Sequence, residues 1–469
     1  MYKFFIIALL LVGSSVRAEG DWFESFKKTA TDKDLYHFLY AMPKGGDLHN
    51  HLSGAGFPEW WLELALAQEK RGYIYYTKVK INNCVGYGGN EFGGNPYLLY
   101  FKNIQESTYK KLSACEQSEY VRLQDMSAEQ KAGWLNSLKL DSAHEGRDEF
   151  FQTHWQRLNE LYMNHYVLAE ILVRNMQAFG REGLMYLEID CSPVGMSPDG
   201  SLIDAEEVYR YYKERLQQKD AVESGVTVKF QYALLRFAPN AEERLAQMYA
   251  FVDAHRDMYV AIDMVGREDN DKGHPLRFLP TLRKLRAQYP GIDLSIHAGE
   301  VDEPNKHIRN TLLLGANRIG HGVNLLTDPD TYLLMRHSNY MVEVNLISNL
   351  LLEYVDDYSK HPFPELLRTD VPVALSTDDR GMWDSNLTDE FFVAVKEFNL
   401  SWSELQTLGL NSLKYGFMND ELKTKLVHDY QKKMDKFAQQ FQKGSQRVLS
   451  SKPPMRGFIC NHYDLCSTP

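Results

Sequence analysis

Short β-branched runs alternate with longer helical stretches along most of this chain, and that alternation constrains its fold more than any other feature. Eight β-rich runs fall at 45–49, 183–190, 226–235, 258–264, 292–297, 317–321, 341–346 and 371–377. Amphipathic stretches such as 205–218, 241–255, 275–289 and 305–314 lie between them. A strand, a crossover helix and another strand, repeated, specify a parallel sheet. Eight such units predict an α/β chain folded as a (β/α)8 barrel. Barrels of this kind gather their active sites at the C-terminal ends of the strands, and that is where the chemically distinctive residues fall. His49 and His51 end the first run, Asp263 and Gly266 close the fourth, and His297 and Glu300 the fifth. His321 ends the sixth, and Asp378 with Asp379 the eighth.

The intervals are uneven. About 130 residues separate the first two runs, far more than a barrel loop needs. We expect an insertion at about 70–140, rich in Tyr, Asn and Gly and carrying Cys84 and Cys115, followed by a long helical stretch at 143–179. Phe150, Phe151 and Trp155 stand near the start of that stretch and are candidates for a cover over the barrel mouth. Three further helices are expected after the eighth run, at 387–398, 401–417 and 420–441, the last strongly charged.

Residues 1–18 carry Lys3, an apolar core from Phe4 to Val12 and a small-residue site ending at Ala18, the pattern of a secretory signal. That core is too short to span a bilayer, so we expect a secreted or periplasmic chain, mature from residue 19, forming one domain to residue 469 with no membrane anchor. Cleavage would remove two cations and no acid from a chain whose formal charge is already −11. Such a surface disfavours nucleic acid, whose binding depends on neutralising phosphates with Lys and Arg. Five cysteines are an odd number. In an oxidising compartment we expect Cys84 to pair with Cys115 and Cys460 with Cys466, leaving Cys191 as a small buried residue.

The His-Asn-His triplet at 49–51 directs two imidazoles the same way. With His297 and Asp378 it offers three nitrogens and one carboxylate, a donor set suited to one catalytic zinc ion with a position left open for water. Such an ion brings the pKa of its water near neutrality. Glu300, three residues past His297, can face a substrate and shuttle a proton. His321 would orient or deprotonate the water, and Asp379 would reach a second heteroatom of the substrate. The backbone N–H of Gly266 suits close approach to a flat heterocycle. The fourth run, Ala261-Ile262-Asp263-Met264, contains no lysine that could bridge two metals, which favours one ion per chain.

Together, Met42–His51, His297-Ala298-Gly299-Glu300, Arg318-Ile319-Gly320-His321-Gly322, Glu343–Asn349 and Ser376-Thr377-Asp378-Asp379 resemble the adenosine deaminase family, most closely its secreted growth-factor branch. The resemblance covers residues 38–420. It implies zinc-dependent hydrolytic deamination of adenosine and 2′-deoxyadenosine to inosine and ammonia. In that scheme Glu300 protonates N1, His321 assists the water, Asp379 contacts N7 and the Gly266 amide contacts N3. It also implies a disulfide within the insertion, in keeping with Cys84 and Cys115. Ser53 stands where many cytosolic members place an acid against the ribose, and Arg380-Gly381 replaces a common proline. Ser53 is therefore a candidate ribose contact, and Trp155, from the aromatic cover, a candidate substrate contact. The N-terminal extension, 21–40, is short, and a homodimer is left open. Two other readings keep part of this picture: a deaminase of another 6-aminopurine or a modified adenosine, and a secreted binding protein without catalysis.

Overall fold

The computed structural model describes residues 21–84, 89–90, 93–94, 99–142, 145–268, 273–301, 303–444 and 453–467. The signal-like segment lies outside them. Eight parallel strands form one sheet in sequence order: β1 Gly45–Asp47, β2 Leu184–Asp190, β3 Thr227–Leu235, β4 Tyr259–Val265, β5 Asp293–Ala298, β6 Arg318–His321, β7 Met341–Val344 and β8 Val373–Leu375. The ring closes at its upper rim, where Asn50 bridges Asp378, and His51 extends the pairing of β1 with β2 by bridging Asp190. The Asp378 N–H donates to the His49 carbonyl at 2.9 Å. All eight expected strands are present, and the barrel is the fold that was expected.

β1 is short and glycine-rich because a helix lies directly on it. Gly45 has φ +76°, and a Cβ there would sit 2.3 Å from the Gly409 carbonyl oxygen in helix Trp402–Lys414. The hydroxyl of Ser412, on the same helix, accepts the Gly46 N–H at 2.7 Å. Helices Leu387–Phe398, Trp402–Lys414 and Asp420–Gln442 all lie where the sequence puts them. Along the last, Leu426, Tyr430, Met434, Phe437 and Phe441 recur at helical spacing and are buried, while Lys425, Lys432 and Lys433 face outward. The N-terminal extension forms two helices, Asp21–Thr29 and Asp32–Ala41, that dock on this face. Trp22 meets Trp402 at 5.0 Å and Phe38 meets Phe441 at 4.7 Å between ring centroids. Among the described residues no helix is long and apolar enough to cross a membrane.

The insertion contains a three-stranded antiparallel sheet of Tyr75–Lys78, Asn103–Gln105 and Tyr120–Arg122. Cys84 is bonded to Cys115 and Cys460 to Cys466, with Cys191 free and buried. The stretch at 143–179 departs from the expected single helix. Among its described residues it forms Arg147–Glu149, a π-helical turn Phe150–His154, Trp155–Leu158 and Asn159–Leu161, and then a separate helix His165–Arg181. Two asparagines break it. Asn159 adopts φ +40° and donates from its side chain to the Asn103 carbonyl, and Asn164 caps the second helix by accepting the N–H groups of Tyr166 and Val167. The adjoining Glu160 carboxylate accepts the Gln105 N–H and the Thr108 hydroxyl. The insertion's sheet thus draws the chain out of helical register, a tertiary pull that local periodicity does not record.

Candidate active site

Side chains alternate along a strand, so every second residue of the barrel points inward. At the top of the inner face His49, His51, His297 and Asp378 converge. His51 Nε2 lies 3.1 Å from Asp378 Oδ1 and 3.2 Å from His297 Nε2, and His49 Nε2 lies 3.6 Å from the same Asp378 oxygen. Gly320 makes room for this approach: a Cβ there would stand 2.7 Å from the His49 ring. Asp378 holds φ +53° and His321 φ +66°, a left-handed conformation that costs a non-glycine residue roughly 1–2 kcal/mol. It turns each side chain inward just where its strand ends.

The opposite nitrogen of each ring is held by a carboxylate. Glu343 Oε2 lies 2.8 Å from His49 Nδ1, Asp190 Oδ2 2.8 Å from His51 Nδ1, and Asp263 Oδ1 3.1 Å from His297 Nδ1. These contacts orient the rings around Asp378: ligand atoms of His49, His297, His321 and Asp378 lie within 4.8 Å of one another, and His51 forms a second such group with Asp378 and Asp379. His49 Nε2 is buried without a hydrogen-bond partner. A buried centre of imidazole nitrogens around one carboxylate, with a nitrogen left over, fits a divalent metal ion. Burial opposes ionisation of Asp378, but the adjoining His49 and His51 rings outweigh it and hold the carboxylate well below its usual range.

Beneath this centre is a buried charged layer. The Arg318 guanidinium donates to Glu343 and, at 2.7 Å, to Glu188 Oε2, while Ser295 donates to Glu343 at 2.8 Å. Tyr186 and the Phe417 N–H serve the other Glu188 oxygen. Glu343 therefore joins this layer to His49. On the β1 side, Thr377 donates to Asp47 at 2.6 Å and accepts from Asn50 at 2.8 Å, so Asp47 and Asn50 of the histidine motif stitch β1 to β8.

Around the open side of the centre, Glu300 is buried and its Oε1 stands 3.7 Å from His321 Nε2. Burial, followed by the charges of Asp378 and Glu268, raises its pKa well above that of an ordinary carboxyl. Glu268 accepts the backbone N–H groups of Gly299 and Glu300, at 3.1 and 3.3 Å, and so fixes the turn that presents Glu300. Gly266 holds φ +103°, and a Cβ would come within 2.7 Å of the Phe237 ring, so glycine is needed there for shape as well as dihedral. Asp379 is buried with Oδ1 unpartnered, against Gly54, where a Cβ would lie 1.5 Å from that oxygen. Ser53, half-buried in the one-turn helix Leu52–Ala55, immediately precedes Gly54.

The family model for adenosine deaminase matches residues 114–433. The chain belongs to the adenosine deaminase family. Among its relatives in that family, an adenosine deaminase of Aedes albopictus is 32% identical over 262 residues, 53% of this chain and 48% of the relative. The matched region thus spans about half the length of that relative. Adenosine deaminase 2-A of Danio rerio is 24% identical over 437 residues, covering 88% of this chain and 82% of the other. Two solved structures show the same barrel. An Arabidopsis ADAL complexed with IMP superposes with a TM-score of 0.62 at 21% identity, covering 86% of this chain and 99% of the other. A Burkholderia ambifaria amidohydrolase with bound Zn superposes with a TM-score of 0.57 at 17% identity, covering 87% and 94%.

The mouth of the barrel is crossed by the segment following Gly146. Arg147 lies over the Tyr354 ring at 4.8 Å, Asp148 pairs with Arg267 at 2.6 Å, and Phe150 meets Trp383 at 5.0 Å. Phe150 is buried core, and Trp155 rests half-buried against it at 5.5 Å. The path from Trp155 toward the centre runs through Phe150 to Trp383, whose backbone N–H donates to the Asp379 carbonyl at 3.1 Å. Sequence reasoning gave no role to Asp190, Glu268 or Glu343 and left Asp263 only as a strand end. Their signal was a charged residue inside an otherwise apolar strand or directly after one, which is rare without a partner.

Proposed function

We propose that this chain is an exported zinc-dependent adenosine deaminase that converts adenosine and 2′-deoxyadenosine to inosine and 2′-deoxyinosine, with release of ammonia. The convergence of His49, His51 and His297 around Asp378, with Glu300 and His321 at its edge, carries the proposal. His49, His51, His297 and Asp378 would hold the ion, and zinc bound there supplies a water activated for attack near neutral pH. The remaining chemistry falls to the chain's own residues. Glu300, kept protonated by its buried setting, would donate to purine N1 as the ring loses aromaticity. Asp379, with a free buried oxygen and a carboxyl pKa raised by burial, would donate to N7 in its protonated form, and the Gly266 N–H would donate to N3. His321 would hold the attacking oxygen. Family membership and the zinc in the Burkholderia relative support this metal.

Ser53 is assigned to the sugar side of the site, in keeping with its position beside Gly54 and Asp379, whereas Trp155, expected to face the substrate, stands behind the buried Phe150 and is not assigned a contact. A serine in place of an acid keeps a second substrate reading in view, a modified adenosine or another 6-aminopurine. Turnover of adenosine, 2′-deoxyadenosine, adenine and AMP compared side by side separates the two. Export is supported by the signal-like residues 1–18 and by two disulfides, which persist in oxidising compartments. The partner proposed is a small purine nucleoside.

The ultraviolet change on adding adenosine to the zinc-loaded chain tests the reading, run beside Glu300→Gln. We expect conversion to inosine by the parent and a loss of kcat of about 10²–10⁴-fold in the variant. A folded, zinc-loaded parent inert toward every aminopurine would instead favour the binding-protein reading.

A further inference from the structure

We infer that His361 and Asn349 are positioning residues that fix the ring tautomer of His321, so that His321 presents an Nε2–H donor to the reaction centre. The inference rests on the deaminase reading of that centre. His361 is buried in the segment after β7, outside the set of groups gathered around Asp378. The Phe363 backbone N–H donates to its Nδ1 at 3.0 Å. A backbone N–H can only donate, so Nδ1 must be unprotonated and the single ring proton sits on Nε2. Burial, which pushes this ring's pKa down to about 3, agrees with a neutral imidazole.

His361 Nε2 lies 2.9 Å from Nδ2 of the Asn349 side-chain amide, whose Oδ1 lies 3.0 Å from His321 Nδ1. The His361 Nε2–H needs an acceptor, and the amide oxygen is the only acceptor which that side chain offers. A neutral His361 cannot accept both the Phe363 N–H and an amide N–H, so the amide oxygen and nitrogen of Asn349 must be interchanged, which turns the NH2 toward His321 Nδ1. Asn345 brings its own NH2 to the same nitrogen at 3.3 Å. A ring nitrogen that receives two amide donors carries a lone pair, which leaves the proton of neutral His321 on Nε2. That atom is buried without a hydrogen-bond partner and lies at the Glu300 edge of the centre.

The orientation decides what His321 can do. Nε2–H can donate to the attacking oxygen and hold negative charge as it develops there, but it has no lone pair with which to take a proton. His321 is thus the orienting donor and not the base. The information that sets it starts at one backbone amide, Phe363, and passes through His361 and Asn349.

The test is nitrogen NMR of the zinc-loaded chain labelled with ¹⁵N-histidine. We expect His321 Nδ1 to resonate as an unprotonated, pyridine-type nitrogen and Nε2 as a protonated, pyrrole-type one. The reverse pattern overturns the inference. Asn349→Asp offers His321 only acceptors and should move the ring proton to Nδ1. Its kcat should fall by about 10²–10⁴-fold, with KM within about threefold of the parent and metal content unchanged. His361→Phe, which removes the donor that orients the amide, should lose part of that activity. His361→Gln, whose amide NH2 can replace the donor, should regain most of it. Parent-like kcat in Asn349→Asp, or a loss confined to KM, would count against the relay. If His361→Phe does not fold, the parent spectrum and the other two variants still decide. A parent with the expected nitrogen pattern but no deamination would reject the deaminase reading alone, whereas an active parent with a protonated Nδ1 would reject only this inference.

Discussion

The metal cradle and the rim of the barrel are built on opposite principles. In the cradle each histidine has one ring nitrogen committed to a buried carboxylate, and Glu343 is itself held by Arg318 and Ser295. In the rim the crossing segment is held by contacts such as Asp148 to Arg267, with side chains 73% and 23% exposed. Buried charge-assisted hydrogen bonds leave a ring one orientation, because any other strands a charge away from water. Half-exposed pairs exchange with water at little cost. The comparison teaches that the cradle is fixed before any ligand arrives, while the rim has freedom to admit and cover one.

Substitutions can break this contrast, and the largest effect belongs to Glu343→Ala. It leaves Arg318 short of a partner in the core and frees the His49 ring. We expect a loss of about 3–5 kcal/mol in stability, read by urea unfolding of metal-free protein. Asp263→Ala should leave the barrel folded yet weaken metal binding by about 10–100-fold in a chelator competition, because only the orientation of His297 is lost.

Acid should expose the same network. Burial opposes the charge on Glu343, but Arg318 and His49 outweigh it and bring its pKa from 4.5 to about 2. A depressed carboxylate contributes stability that is fully present above its unfolded pKa and is lost as pH falls through the folded one. Metal-free parent should therefore lose this contribution between pH 4.5 and about 2, and Glu343→Gln should flatten the unfolding curve across that window. The smallest effect is expected at the rim. Asp148→Ala should cost less than about 1 kcal/mol in stability, with any change confined to a few-fold in KM. A large loss of stability from this rim substitution would show that the rim is as rigid as the cradle and undo the comparison.

Much of this was legible in the residues. The eight strands, the C-terminal helices and the positions of His49, His51, His297, His321, Glu300 and Asp378 at strand ends follow from periodicity and residue type, because the barrel rule converts a sequence position into a place in space. The disulfides followed from proximity along the chain. The breaks at Asn159 and Asn164 were not legible, since the contacts that bend the chain come from Asn103, Gln105 and Thr108, about 55 residues away. Nor could the sequence attach Glu343 to His49, 294 residues apart, or Asn349 to both His321 and His361.

The sequence by itself determined the barrel and the edge of it on which the candidate histidines and acids stand, because alternation and strand order are properties of the chain read locally. Only the tertiary structure decided which nitrogen of each ring faces the centre. That choice depends on the partner of the opposite nitrogen, and those partners come from strands and loops that closure of the barrel brings together.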